Sequence, residues 1–231
     1  MGDAEFDRHA DHYREVHMRN IAISGEPPEY FSDYKMRDFL DLVCNSELPE
    51  NGRFLDFGSG IGNSVAPFQT HFPHAHLTCA DVSSESLAVS AATHGGNVEY
   101  VLMKEGLLPV EEAVFDGAFA CCVFHHIYSG DHRKVLSELK RVVRPNGLLM
   151  IYEHNPYNPL TVRSVNSCPL DENAVLITAH DMVLACIDAG WKEARCDYRV
   201  FFPSFLSRLR GVENHLRWLP LGAQYFVCVR A

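Results

Sequence analysis

From residue 53 onward, short apolar runs alternate with segments whose apolar positions recur at helical spacing. Strand-like runs lie near 53–57, 77–81, 98–102, 117–123 and 148–153, with helical segments near 63–71, 84–93 and 132–143 between them. Runs this short and apolar suit strands buried on both faces, and their alternation with helices is the βαβ rhythm of a parallel sheet. Arg144-Pro145-Asn146-Gly147 carries the turn chemistry that should stop the helix before the fifth strand. Beyond that strand, Glu153-His154-Asn155-Pro156-Tyr157-Asn158-Pro159 cannot be regular helix, and Thr178 is placed to cap a helix that Gly190 ends. Two late strands, near 193–202 and 224–229, should flank a helix carrying Arg208, Arg210 and Arg217.

Ahead of the sheet, residues 1–48 read as two or three helices broken by Gly25-Glu26-Pro27-Pro28. They mix aromatic and polar residues: Phe6, His9, His12, Tyr13, His17, Tyr30, Phe31 and Tyr34. Such a prelude either closes over a ligand site, with His12, Tyr13 and Tyr34 lining a pocket, or packs against an edge of the sheet. The expected organisation is one unit over 1–231, with a helical cap at 1–48 and an α/β core at 49–231.

Chemistry is concentrated where the first strand ends. Arg53-Phe54-Leu55-Asp56-Phe57 runs into Gly58-Ser59-Gly60-Ile61-Gly62-Asn63, and Asp81 stands 19 residues after the last glycine, at the end of the second strand. Glycines let a backbone approach a ligand closely, and the following helix offers unpaired N–H groups. An acidic residue about 20 positions on is placed to accept hydrogen bonds from ribose hydroxyls, so the combination reads as adenosine binding. A dinucleotide fingerprint needs a third glycine where Asn63 stands, which disfavours an NAD-dependent enzyme.

The pattern Asp56-x-Gly58-x-Gly60-x-Gly62 resembles the first motif of class I S-adenosylmethionine-dependent methyltransferases. The resemblance extends over most of 50–231. Phe115-Asp116 looks like the family's entry into the fourth strand, Phe124-His125-His126-Ile127 like the loop after it, and Arg141 to Gly147 like its basic Pro-Gly turn. It implies a Rossmann-like, doubly wound sheet of order 3-2-1-4-5-7-6 whose last strand is antiparallel, with S-adenosylmethionine as the cofactor. Carried over, the cofactor residues would be Asp56, Gly58, Ser59, Gly60, Gly62, Asn63, Asp81, Val82 and Val123. The family's adenine-binding Asp is missing, because Met103-Lys104 occupy its place and lysine cannot accept a hydrogen bond, so Glu105 or the backbone would take that role. Neither is Asn155-Pro156-Tyr157, after the fifth strand, in the position of the motif used on nucleic-acid bases.

Thirty acidic against 20 basic residues give a formal charge of −10, which argues against a nucleic-acid partner. Six basic and three acidic residues between Trp191 and Arg217 form a local exception, readable as a site for an anionic acceptor or as a solvated face. The eight cysteines form no C-x-x-C pair and suit a reduced, cytoplasmic protein. No leader or membrane span is expected, and oligomeric state is not legible.

Methyl transfer from a sulfonium needs alignment above all, and a hydroxyl acceptor also needs its proton removed. His125 and His126 follow the fourth strand and Glu153 and His154 end the fifth, so all four should open onto the carboxyl edge as candidate bases. No metal is expected: His71, His74 and His76 have near ligand-like spacing but precede the second strand at its opposite end. The favoured activity is O-methylation of a sugar-derived or natural-product metabolite. Alternatives are N-methylation of a small amine and a cofactor-binding, non-catalytic partner of another methyltransferase.

Overall fold

The computed structural model describes Ile21, residues 24–104 and residues 106–231. Helix α1 (Pro28–Asn45) leads into β1 (Arg53–Phe57), α2 (Val65–His71), β2 (His76–Asp81), α3 (Ser84–Thr93), β3 (Val98–Leu102) and β4 (Phe115–Cys121). Then follow α4 (His132–Val142), β5 (Val143–His154), α5 (Pro159–Asn166), α6 (Ala179–Asp188), β6 (Lys192–Arg199), α7 (Glu213–Leu216) and β7 (Gln224–Arg230). The seven strands form one sheet in the order β3-β2-β1-β4-β5-β7-β6. Strand β7 runs antiparallel to β5 and β6, and the other pairings are parallel. The expected fold class is therefore the observed one.

Side-chain alternation sends successive residues of each strand to opposite faces. On one face Leu55, Phe57, Leu149 and Ile151 pack with Leu136 and Leu139 of α4 and Met182 of α6. On the other, Phe54, Leu148, Met150 and Tyr152 pack with Met36 and Phe39 of α1 and Phe68 of α2. Central strands β4 and β5 are buried on both faces, whereas edge strand β3 is only partly covered. Parallel pairing exposes the same ends of β1, β2, β4 and β5 along one edge, which is where open α/β sheets bind ligands.

Three expectations change in detail. Strand β4 covers 115–121 rather than 117–123, because Cys122 takes φ +60° and ends the strand. The segment Arg144–Gly147 belongs to β5 as an irregularity in its pairing with β4: Asn146 adopts φ +66° and Arg144 pairs with Asp116. The late helix is replaced by a 3-10 segment, Ser204–Val212, interrupted at Leu206 and followed by the short α7.

Of the prelude, α1 is described and the candidates Phe6, His9, His12, Tyr13 and His17 lie outside the described residues. Helix α1 packs on the sheet and also borders the cleft, though not through Tyr34, whose O–H donates to Glu213 Oε2 over 2.8 Å. Its buried Phe39 and Val43 pack on the sheet, while Phe31, Ser32 and Lys35 line the cleft. Asp38 and Arg199, each only 6% exposed, pair between α1 and β6, and Tyr152 donates to the same Asp38 carboxylate over 3.1 Å. Most of the basic cluster after Trp191 is also paired: Arg195 with Asp197, Arg210 with Glu26, and Arg217 with Asn214 and Asp197. These internal pairs explain it better than an anionic acceptor does.

Candidate active site

The glycine turn leaves β1 at Phe57 and is held by Gly58 and Ser59 N–H groups donating to Ala80 O over 2.8 and 3.1 Å. Gly60 and Gly62 both have positive φ, +53° and +84°, for different reasons. A β-carbon on Gly62 would lie 2.1 Å from Ser90 Oγ, so this glycine permits close packing on α3. A β-carbon on Gly60 would meet nothing within 4 Å and would point into the cleft, so the missing atom leaves space for a ligand. Asp81 fixes this geometry from β2: its Oδ2 accepts from Gly60 N–H at 2.8 Å and its Oδ1 from Ser83 N–H at 2.9 Å.

Asp56 is almost fully buried, and its Oδ2 has no hydrogen-bond partner among the described residues. Burial, reinforced by the charge of Asp81 and opposed by Lys35, pushes its pKa up to about 8. A buried carboxyl with an unsatisfied oxygen at the cleft wall is suited to a cationic group on a ligand.

The cleft has a volume of about 850 Å³. Asp56, Gly58, Ser59, Gly60, Asn63, Asp81, Val82 and Val123 line one part of it. Gly62 sits behind the turn, and Glu105 lies outside the described residues. His125, His126 and His154 line another part, with Glu153 buried beneath them.

These four candidates are not equivalent. Glu153 Oε1 accepts from the N–H groups of Val123 and Phe124 at 3.0 and 2.7 Å, and its Oε2 accepts from His125 Nδ1 at 2.5 Å. Burial alone would strip the proton from His125, but Glu153 and Asp171 outweigh it and hold the imidazole charged. Burial opposes ionisation of Glu153 too, and the histidines together with the two N–H donors reverse that and hold it as a carboxylate. For His126, burial and the neighbouring His125 charge depress the pKa to about 4. His154 lies with its ring 5.2 Å from that of His125 and faces Gln224 Nε2, 3.5 Å from its Nδ1.

Three further residues enter the site without being anticipated. Asp171, in the turn after α5, places Oδ1 3.6 Å from His125 Nε2 and 3.5 Å from His126 Nε2. Lys35 Nζ reaches from α1 to within 3.2 Å of Cys122 Sγ. Burial raises the Cys122 pKa, but Lys35 and His154 outweigh it and bring the thiol down to about 6. Of the histidines set aside as a metal site, His71 instead hydrogen-bonds Asp33 of α1 at 2.8 Å.

Residues 55–151 match the model of the methyltransferase domain family. The chain is 31% identical over 136 residues to the O-methyltransferase rstn1 of Aspergillus nomiae, covering 53% of this chain and 59% of that one. It is 31% identical over 140 residues to a trans-aconitate 2-methyltransferase of an Azoarcus species, covering 60% and 53%. Thus the chain spans somewhat more than half the length of these curated relatives. The fold is similar to that of a solved S-adenosylmethionine-dependent methyltransferase of Thermotoga maritima, with a TM-score of 0.70 at 17% identity over 98% of both chains. The glycine turn, the unsatisfied Asp56 oxygen and the family match all fall on the same cleft, so residues 55–151 carry a methyltransferase domain in the fold of S-adenosylmethionine-dependent methyltransferases, and S-adenosylmethionine is its cofactor.

Proposed function

We propose that the protein methylates a small acceptor at oxygen, with His154 as the proton acceptor. The observation that carries this reading is the imidazole-lined wall beside the glycine turn, since a hydroxyl needs its proton removed as the new bond forms and a neutral amine does not. Ligand pockets commonly measure about 300 to 1,000 Å³. A cleft of about 850 Å³ suits the cofactor together with a small metabolite. An O-methyltransferase among the relatives supports an oxygen acceptor.

When bound, the cofactor supplies a methyl group on a sulfonium whose departure with the bonding pair on sulfur leaves a neutral thioether. Asp81 would hold the ribose, Asp56 would face the cationic methionine end, and Gly60 would leave the backbone close to it. The acceptor oxygen forms the new C–O bond with its own lone pair, and its proton passes to His154. His125 and Glu153 are positioning residues: their mutual bond and the N–H groups held by Glu153 fix the loop after β4. His126, with its depressed pKa, is a weaker base. Phe31, Phe201 and Phe205 also line the cleft, which favours an acceptor with an apolar portion.

The test is methyl transfer from labelled cofactor to hydroxyl, carboxyl and amine acceptors, followed by mass spectrometry. His154→Ala is expected to lower turnover on the best acceptor by about 10²–10⁴-fold with cofactor affinity unchanged. Parental turnover in both His154→Ala and His126→Ala would instead mean catalysis by alignment and an amine acceptor. No transfer to any acceptor class, despite tight cofactor binding, would support a non-catalytic partner.

A further inference from the structure

The imidazole-lined wall of the cleft holds more chemistry than proton transfer requires. His125 and Glu153 are each 1% exposed at the side chain, and Asp171 and His126 are 12% and 17% exposed. One buried and one partly buried carboxylate thus face two imidazoles within one small volume, and nothing in the proposed methyl transfer uses Asp171. One ligand atom from each of His125, His126 and Asp171 can be chosen so that all lie within 4.8 Å of one another.

Two of the three separations match the coordination of a zinc-class cation, and the third lies within 4.8 Å. Zinc binds imidazole nitrogen and carboxylate oxygen at roughly 2.0–2.2 Å, so neighbouring ligands at a tetrahedral centre stand about 3.4 Å apart. Asp171 Oδ1 lies 3.6 Å from His125 Nε2 and 3.5 Å from His126 Nε2. At those lengths the carboxylate makes poor hydrogen bonds to either ring but good edges of a coordination polyhedron. Glu153 can only accept, so His125 Nδ1 donates to it, and the proton that the charged ring carries on Nε2, beside Asp171, would be released as a cation takes its place. A carboxylate behind a histidine is the arrangement that orients metal-ligating imidazoles and strengthens them as donors.

We propose that His125 Nε2, His126 Nε2 and Asp171 Oδ1 form a site for one divalent cation of the zinc class, with its open position toward the cleft. The donor set of two nitrogens and one oxygen is the borderline type that such cations prefer, and three protein ligands leave a coordination position for an oxygen of the acceptor. A dication there would offset the charges of Glu153 and Asp171 together. It would also lower the pKa of a bound hydroxyl and fix its direction, so the acceptor class becomes one that can ligate through oxygen. That last consequence rests on the methyltransferase reading above, whereas the cation site itself does not.

The experiment strips the full chain with chelator, confirms that it binds S-adenosylmethionine, and titrates zinc by calorimetry. Metal content is counted after dialysis, and cobalt(II) is substituted to read coordination from visible absorption. The expected result is one zinc per chain, a tetrahedral cobalt spectrum, a loss of at least about 100-fold in zinc affinity in Asp171→Asn and in His126→Gln, and about 10–100-fold in Glu153→Gln. Unchanged cofactor affinity in those variants shows that they are folded. If the cofactor-binding chain takes up no stoichiometric zinc, or if both Asp171→Asn and His126→Gln bind it as the parent does, the proposal is overturned and the cluster is an imidazolium held between carboxylates. Zinc uptake in a chain that transfers no methyl group would overturn the proposed function and leave the cation site standing.

Discussion

The half of the cleft proposed for the cofactor and the half proposed for the acceptor are assembled in opposite ways. The first comes from two short stretches, 56–63 and 81–82, brought together by neighbouring strands and by the Gly60 N–H donating to Asp81. The second draws Lys35 from α1, Cys122 to His126 from the end of β4, Glu153 and His154 from the end of β5, and Asp171 from a distant turn. One half is therefore set by local backbone geometry, and the other by long-range ion pairs and buried hydrogen bonds. Damage to each should have a different signature.

The largest effect is expected where α1 is anchored. Asp38→Ala leaves Arg199 buried without its carboxylate and removes the acceptor for Tyr152 O–H. Stripping one partner from a buried pair should cost about 3–5 kcal/mol of stability, read as a lower urea midpoint. An unchanged midpoint would mean that the acceptor half does not depend on this strut. Gly60→Val should behave conversely. Its side chain would enter the cleft, so cofactor affinity should fall by more than about 100-fold, roughly 2.7 kcal/mol, alongside a smaller strain of about 1–2 kcal/mol from the positive φ. Calorimetry on the folded variant decides it, and parental affinity would refute the role given to the turn.

The same asymmetry explains what the sequence disclosed. The strand and helix alternation is visible because β1, β4 and β5 are buried on both faces and read as apolar runs. The glycine turn is visible because its chemistry lies within a few residues. Asp171 left no such mark: it sits in Cys168-Pro169-Leu170-Asp171, without periodicity, and reaches His125 only through the path of α5 and the Val175 N–H donating to His125 O at 2.8 Å. Lys35 was hidden because a lysine on an amphipathic helix usually faces solvent, and only the pairing of α1 with β6 turns it toward Cys122. The location of His125, His126, Glu153 and His154 at the carboxyl edge was legible, but their inequivalence was not. It depends on which of them Glu153 and Asp171 reach.

Asp81→Ala should have an intermediate effect on the cofactor half. It removes the carboxylate proposed to hold the ribose and releases the Gly60 N–H. A loss of about 1.5–3 kcal/mol, roughly 10- to 150-fold in cofactor affinity, is expected by calorimetry. Zinc affinity in the same variant should not move, because Asp81 has no part in the acceptor wall. A parallel loss of both would show that the two halves are coupled.

The smallest and most specific effect concerns pH. Burial and the charge of Asp81 raise the Asp56 pKa to about 8 in the folded protein, against about 3.9 for an ordinary aspartate. Between those values the folded chain holds a proton that the unfolded chain has released, so this group's contribution to stability declines as pH rises through that window. A cationic ligand end beside Asp56 favours the carboxylate and lowers its pKa in the complex. Binding below pH 8 should therefore release a proton, and affinity should rise with pH by up to about tenfold per unit, or 1.36 kcal/mol. Calorimetry at pH 6 to 7.5 in buffers of different ionisation enthalpy measures that proton directly. The range stays below the titration of the ligand's own α-amino group, at about 7.7–8.0. Asp56→Asn should bind with a flat profile over the range. If the parent profile is equally flat, Asp56 does not face the charged end of the cofactor, and its unsatisfied oxygen has some other use.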